Sequence, residues 1–108
     1  MTEKTIHNNT VESIQVTLFL REGDSPFSYA EDKITLDLNP GTKVVVEIGD
    51  NENALLNGIS LLTLSSGDFY NKVQFISSTE SALETLLNGH SQLTITKEKT
   101  DYFINGED

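Results

Sequence analysis

The chain has 108 residues, with 17 Asp and Glu against 7 Lys and Arg, a formal net charge of −10, and no cysteine or tryptophan. Without cysteine there is no disulfide framework, zinc–thiolate site, cysteine nucleophile or iron–sulfur cluster. So large an acidic excess also argues against the Lys- and Arg-driven contacts that hold nucleic acid or anionic lipid.

The length fits a single domain, residues 1–108, able to bury one core without a metal or disulfide. The first ten residues show no basic segment leading into an apolar one, and no run approaches the roughly 18 apolar residues of a spanning helix. The expectation is a soluble, cytoplasmic chain. Asn8-Asn9-Thr10 matches the glycosylation triplet, but without a secretion signal it carries no weight.

Period-2 alternation dominates from here on. Lys4–His7 reads as a short first strand. In Ser13–Arg21, Ile14, Val16, Leu18 and Leu20 fall on one face and Gln15, Thr17, Phe19 and Arg21 on the other, the pattern of a half-buried strand. Gly23–Asp32 collects Gly, Ser, Pro and acidic residues and reads as a loop. Ile34, Leu36 and Leu38 alternate with polar residues, as do Val44, Val46 and Ile48. Between these runs, Asn39-Pro40-Gly41-Thr42 predicts a type II-like turn closing a hairpin, since Pro presets φ and Gly supplies φ > 0.

Ile59–Leu64 is apolar on both faces and reads as a central strand. Ser65-Ser66-Gly67-Asp68 reads as a turn, with a further strand around Val73 and Phe75. Thr79–Gly89 changes to helical spacing, with Ala82/Leu83 and Leu86/Leu87 as its apolar pairs. Ser78 or Thr79 is the expected N-cap and Asn88-Gly89 the expected left-handed stop. Leu93 and Ile95, then Tyr102–Ile104, supply the last strands.

One echo runs through this pattern. Leu55–Ser65 and Leu86–Thr96 align at an offset of 31 with seven of eleven residues identical, including Leu-Leu-Asn-Gly. If real, each copy is a connector, an Asn-Gly stop and a strand. Leu62/Leu64 and Leu93/Ile95 then share one face, and only the first copy is covered on both sides. The plainer reading is a common helix stop recurring by accident.

Six to eight short strands and one helix near residues 80–88 predict an all-β, antiparallel two-sheet β-sandwich, immunoglobulin-like or jelly-roll-like. The Cys–Trp–Cys signature of true immunoglobulin domains is absent.

Little in the sequence carries chemistry. No phosphate-loop, dinucleotide, zinc-protease or nucleophile-elbow motif occurs. His7 and His90 lack an Asp or Glu at dyad spacing, so both read as polar surface residues. Gly49–Asn53 packs Asp50, Glu52 and Asn53 into one acidic loop whose oxygens suit Ca²⁺. Asp24 in the earlier loop is a further ligand candidate. The EF-hand spacing is broken at Ala54, and a solvated loop is the plainer reading.

Aromatics cluster as Phe27/Tyr29, Phe69/Tyr70 and Tyr102/Phe103. Phe27, Tyr29, Phe69 and Tyr70 lie in or beside predicted loops, where such residues anchor partners or close the ends of a core. Phe19 and Val45 each interrupt an otherwise polar strand face, and would form one outer patch if their strands paired.

The expected function is therefore a non-catalytic, acidic binding module without a cofactor. Its partner is a protein or a second copy, not nucleic acid or membrane. The alternative is a calcium- or carbohydrate-binding sandwich using the acidic loops. A nucleic-acid mimic or an enzyme using His7 and His90 ranks below both.

Overall fold

The computed structural model describes residues 2–21, 29–48, 55–65 and 67–107. Within them lie β1 (Thr2–Asn8), β2 (Ile14–Arg21), β3 (Tyr29–Leu38), β4 (Lys43–Ile48), β5 (Leu56–Ser65), β6 (Asp68–Phe75), α1 (Ala82–Asn88), β7 (Gln92–Glu98) and β8 (Asp101–Glu107). The strands form two four-stranded sheets, ordered β4-β1-β7-β8 and β3-β2-β5-β6, here called sheets A and B. The chain is thus an all-β two-sheet sandwich with one short helix. All pairings among the described strands are antiparallel except β1 with β7, which runs parallel.

The alternations seen in the sequence build the core directly. Ile14, Val16 and Leu18 of β2 and Ile59 and Leu61 of β5 point from sheet B toward Ile6 of β1, Ile48 of β4, and Leu93 and Ile95 of β7. All are buried in one cluster. Burying each such side chain stabilises the fold by about 1.5–3 kcal/mol.

The turn at Asn39–Thr42 forms as its residues require: Gly41 sits at φ +77 and the Thr42 N–H donates to the Asn39 carbonyl at 3.2 Å. It does not close a hairpin. β3 belongs to sheet B and β4 to sheet A, so the turn is an arch between layers. Two amphipathic strands bury their apolar faces equally well side by side or face to face. What decides is that β2 takes β3 and β1 takes β4 as partners.

Asn8, fully buried, fastens this arch. Its amide donates to the carbonyls of Glu12 (2.8 Å) and Leu38 (3.0 Å), and its oxygen accepts from the Thr10 hydroxyl (2.7 Å). Its backbone exchanges two further bonds with the arch, to Thr42 O and from Gly41 N.

The helix begins later than its sequence pattern. Ser81, not Ser78 or Thr79, is the N-cap, its hydroxyl accepting from the Glu84 N–H at 3.1 Å. Ser81-x-x-Glu84 has the spacing of a capping box. The C-terminal Gly89 is right-handed (φ −93, ψ −2), which corrects the expected left-handed stop. Glycine is needed there for closeness instead, since a Cβ would lie 2.5 Å from the Thr85 carbonyl oxygen.

The echo is not a structural repeat. Leu56-Asn57-Gly58 opens a strand, whereas Leu86-Leu87-Asn88 ends a helix. The strand phases are also opposite: Leu93 and Ile95 are wholly buried, while Leu62 and Leu64 point outward. β5 is central in its sheet as expected, but it is covered on one face only.

The two copies instead bind each other. The Asn88 side chain accepts from Leu56 N (2.8 Å) and donates to Leu56 O (2.9 Å), pairing with β5 as a strand backbone would. Beside it, Arg21 is 1% exposed and forms a two-pronged ion pair with Glu84. Arg21 also donates to Asn57 Oδ1 at 3.2 Å and to Leu56 O at 3.4 Å. Its hydrogen bonds hold the Glu84 carboxyl below the usual glutamate range, against the opposing effect of burial. This polar cluster seats α1 against the end of sheet B.

A second buried cation lies under the helix. Lys4 is 4% exposed and its ammonium donates to the Leu87 carbonyl, one of those left unpaired at a helix end. Burial lowers its pKa.

Candidate functional site

The outer face of sheet B is built by residues of one parity on four strands. β3 contributes Lys33, Thr35 and Asp37, and β2 contributes Gln15, Thr17 and Phe19 in register with them. β5 places Gly58, Ser60, Leu62 and Leu64 outward, and β6 answers with Phe75, Val73, Asn71 and Phe69. The β3 side of this face is polar and cross-bonded: Gln15 Nε2 donates to Asp37 at 3.4 Å, and the Thr17 and Thr35 hydroxyls lie 3.5 Å apart. The β5–β6 side is apolar. Phe69 is 80% exposed, Leu64 56%, Val73 47%, Phe75 45% and Leu62 38%.

Phe19 reaches this stripe from β2. Its ring packs against Phe75 at 4.8 Å between centroids, across Gly58, where a Cβ would fall 2.5 Å from Phe75 Cδ1. The glycine leaves room for the aromatic pair to close over the strand. Toward the other end, Gln15, Asp37, Leu62, Leu64 and Phe69 help line a groove of about 260 Å³. Exposed apolar side chains gathered on one face mark a candidate interaction surface.

The predicted site residues divide sharply. Phe19 and Phe69 join the stripe. Val45 is 60% exposed but stands on β4 of sheet A, on the opposite outer face. The expected Phe19–Val45 patch therefore does not form, because their strands never pair. Phe69 and Tyr70 belong to β6, not to a loop.

Tyr70 points inward, packs on Tyr102 at 4.8 Å and donates its hydroxyl to Asp101. Burial first, then that carboxylate, raises its pKa, while its hydroxyl lowers that of Asp101. It closes the core edge, with the Lys72 ammonium bonded to Tyr102 O at 2.8 Å beside it. Tyr29 opens β3 opposite Arg21. Phe27 and the metal candidates Asp24, Asp50, Glu52 and Asn53 lie outside the described residues.

Leu62, Leu64, Val73 and Phe75 were not singled out by sequence. Their signal was present as a shared parity: Leu62 and Leu64 on one strand, Phe69, Val73 and Phe75 on the next. It becomes a patch only once the β5–β6 register sets Leu64 opposite Phe69.

Other polar groups are engaged structurally. Lys97 is bonded to Glu12 at 2.7 Å, which raises its pKa and keeps it protonated. His7 stands opposite Lys43, and the His90 ring lies over Gly106. Among the described residues no group of three or more His, Asp or Glu is placed to hold a metal ion. No described helix is long and apolar enough to cross a membrane. No protein-family model, curated protein or solved structure matches the chain.

Proposed function

We propose that this chain is a non-catalytic protein-binding module that works through the outer face of sheet B. One observation carries the reading: five large apolar side chains, Leu62, Leu64, Phe69, Val73 and Phe75, stand exposed together on that face. The opposite face gives the contrast. Its outward residues include Glu3, Glu47 and Glu107 against Lys43, with Val45 and Phe103 isolated among them. Aromatic and aliphatic side chains bury large areas at a protein interface, and a polar rim of the kind made by Gln15, Thr17 and Asp37 is the usual surround.

The net charge of −10 sets this module against nucleic acid and anionic lipid as partners, and the lack of cysteine suits the cytoplasm.

The test compares immobilised wild-type chain with Leu64→Asp, Phe69→Ser and Val45→Asp in the native lysate. Retained protein should be lost with the first two variants and kept with the third. Equal retention by all four removes sheet B as the binding face.

A further inference from the structure

We infer that the occupant of this face is a second copy of the chain, in a reversible, two-fold symmetric dimer that packs sheet B against sheet B. The inference rests on the reading above and adds the partner's identity.

Charge is the first argument. The chain carries −10, yet the described outward side chains of β5 and β6, Ser60, Leu62, Leu64, Phe69, Asn71, Val73 and Phe75, carry no charge. Two such chains repel over most of their surfaces. The β5–β6 half of sheet B is where they meet with least repulsion.

Pattern is the second argument. An isologous interface needs a surface complementary to itself. On β6 the aromatic residues stand at both ends of the exposed row, Phe69 and Phe75, with Asn71 and Val73 between. A two-fold axis crossing the strands midway between the Leu62–Asn71 and Ser60–Val73 rows sets each Phe69 over the other copy's Phe75. The same axis sets Leu64 over the row that holds Phe19 and Gly58, where the aromatic pair provides its apolar floor.

Area is the third. Four strands about 4.8 Å apart and seven rows about 3.4 Å apart give roughly 450 Å² of flat surface per copy, roughly 900 Å² for the pair. Side-chain relief raises the accessible area above that. This is the range of weak, reversible interfaces, not obligate ones.

Sedimentation velocity over about 1–500 μM, at low and at 0.5 M salt, tests the dimer. Wild-type chain should pass from monomer to dimer, and more readily at high salt, because screening removes the repulsion. Leu64→Asp or Phe69→Ser, each changed twice per dimer, should weaken association by about 100-fold, while Val45→Asp leaves it unchanged. Because the chain has no cysteine, a mixture of Asn71→Cys and Val73→Cys chains, positions the axis sets over each other, should oxidise to a covalent dimer faster than Val45→Cys.

A wild-type chain that stays monomeric throughout, or a dimer that Val45→Asp disrupts and Leu64→Asp does not, overturns the inference. If a monomeric chain still retains a partner that Leu64→Asp loses, the second copy is wrong and the binding face stands. If it retains none, both fail.

Discussion

Replacing Glu84 by Ala tests what holds α1 to the sandwich. Arg21 is 1% exposed and Glu84 18%, so the guanidinium is the member that water cannot reach. Without Glu84 its remaining acceptors are Asn57 Oδ1 and the Leu56 carbonyl. Removing one partner of a buried pair costs about 3–5 kcal/mol, because the other charge stays buried without compensation. We expect the lower end, about 3 kcal/mol, since two neutral acceptors persist. For a domain of this size that lowers Tm by roughly 12 °C or more.

Changing both residues, Arg21→Leu with Glu84→Leu, removes the stranded charge and should recover most of the loss. The assay is thermal and urea unfolding of the wild type, Glu84→Ala and the double variant. The pH dependence adds a second readout. The folded-state pKa of Glu84 is lowered, so its contribution is complete above the ordinary glutamate range and disappears as pH falls through the lowered value. The gap between wild type and Glu84→Ala should therefore narrow in acid. A loss below about 1 kcal/mol at neutral pH, or a double variant no more stable than the single one, refutes the argument.

Further outcomes follow from other sites. Asn8→Ala leaves the buried Leu38 carbonyl and the part-buried Glu12 carbonyl without this donor and should cost about 2–4 kcal/mol in urea unfolding. Gly58→Ala places a methyl against Phe75 and the Gln74 carbonyl and should cost about 1–3 kcal/mol. Pairing it with Phe75→Leu should recover part of that. The pKa of Lys4 is lowered, so the unfolded chain holds the proton more tightly. Stability should rise with pH between that lowered value and the ordinary lysine range, and Lys4→Met should lose the rise. Millimolar Ca²⁺ should leave Tm unchanged, whereas a rise abolished by Asp50→Asn would establish the acidic loop as a cation site.

Much of the architecture is legible residue by residue. Ile14, Val16 and Leu18 announce a half-buried strand because alternation has only one buried solution. Pro40-Gly41 announces its turn because Gly41 tolerates a φ that other residues resist. Local chemistry ends there. The same alternation serves a hairpin or an arch, so nothing near Asn39–Thr42 reveals that β3 and β4 lie in different sheets. Leu-Leu-Asn-Gly shows the limit most plainly, as a strand start at Leu56 and a helix end at Leu86. The first is drawn into the ladders of β2 and β6, and the second is held by the Ser81 cap and by Asn88 binding back to Leu56.

The apolar face divides in the same way. Strand alternation assigns each side chain to one of two faces, and so separates Leu62 and Leu64 from Ile59 and Leu61 without saying which pair meets the core. That choice belongs to the tertiary structure. It turns Ile59 and Leu61 toward Ile6, Leu93 and Ile95, where burial is complete, and leaves Leu62 and Leu64 with Phe69, Val73 and Phe75 on the outside. Composition alone determines that the chain is acidic and lacks cysteine. Strand pairing alone decides that the described outward residues of β5 and β6 form one uncharged, largely apolar stripe, because neighbours across a sheet are set by register and not by sequence.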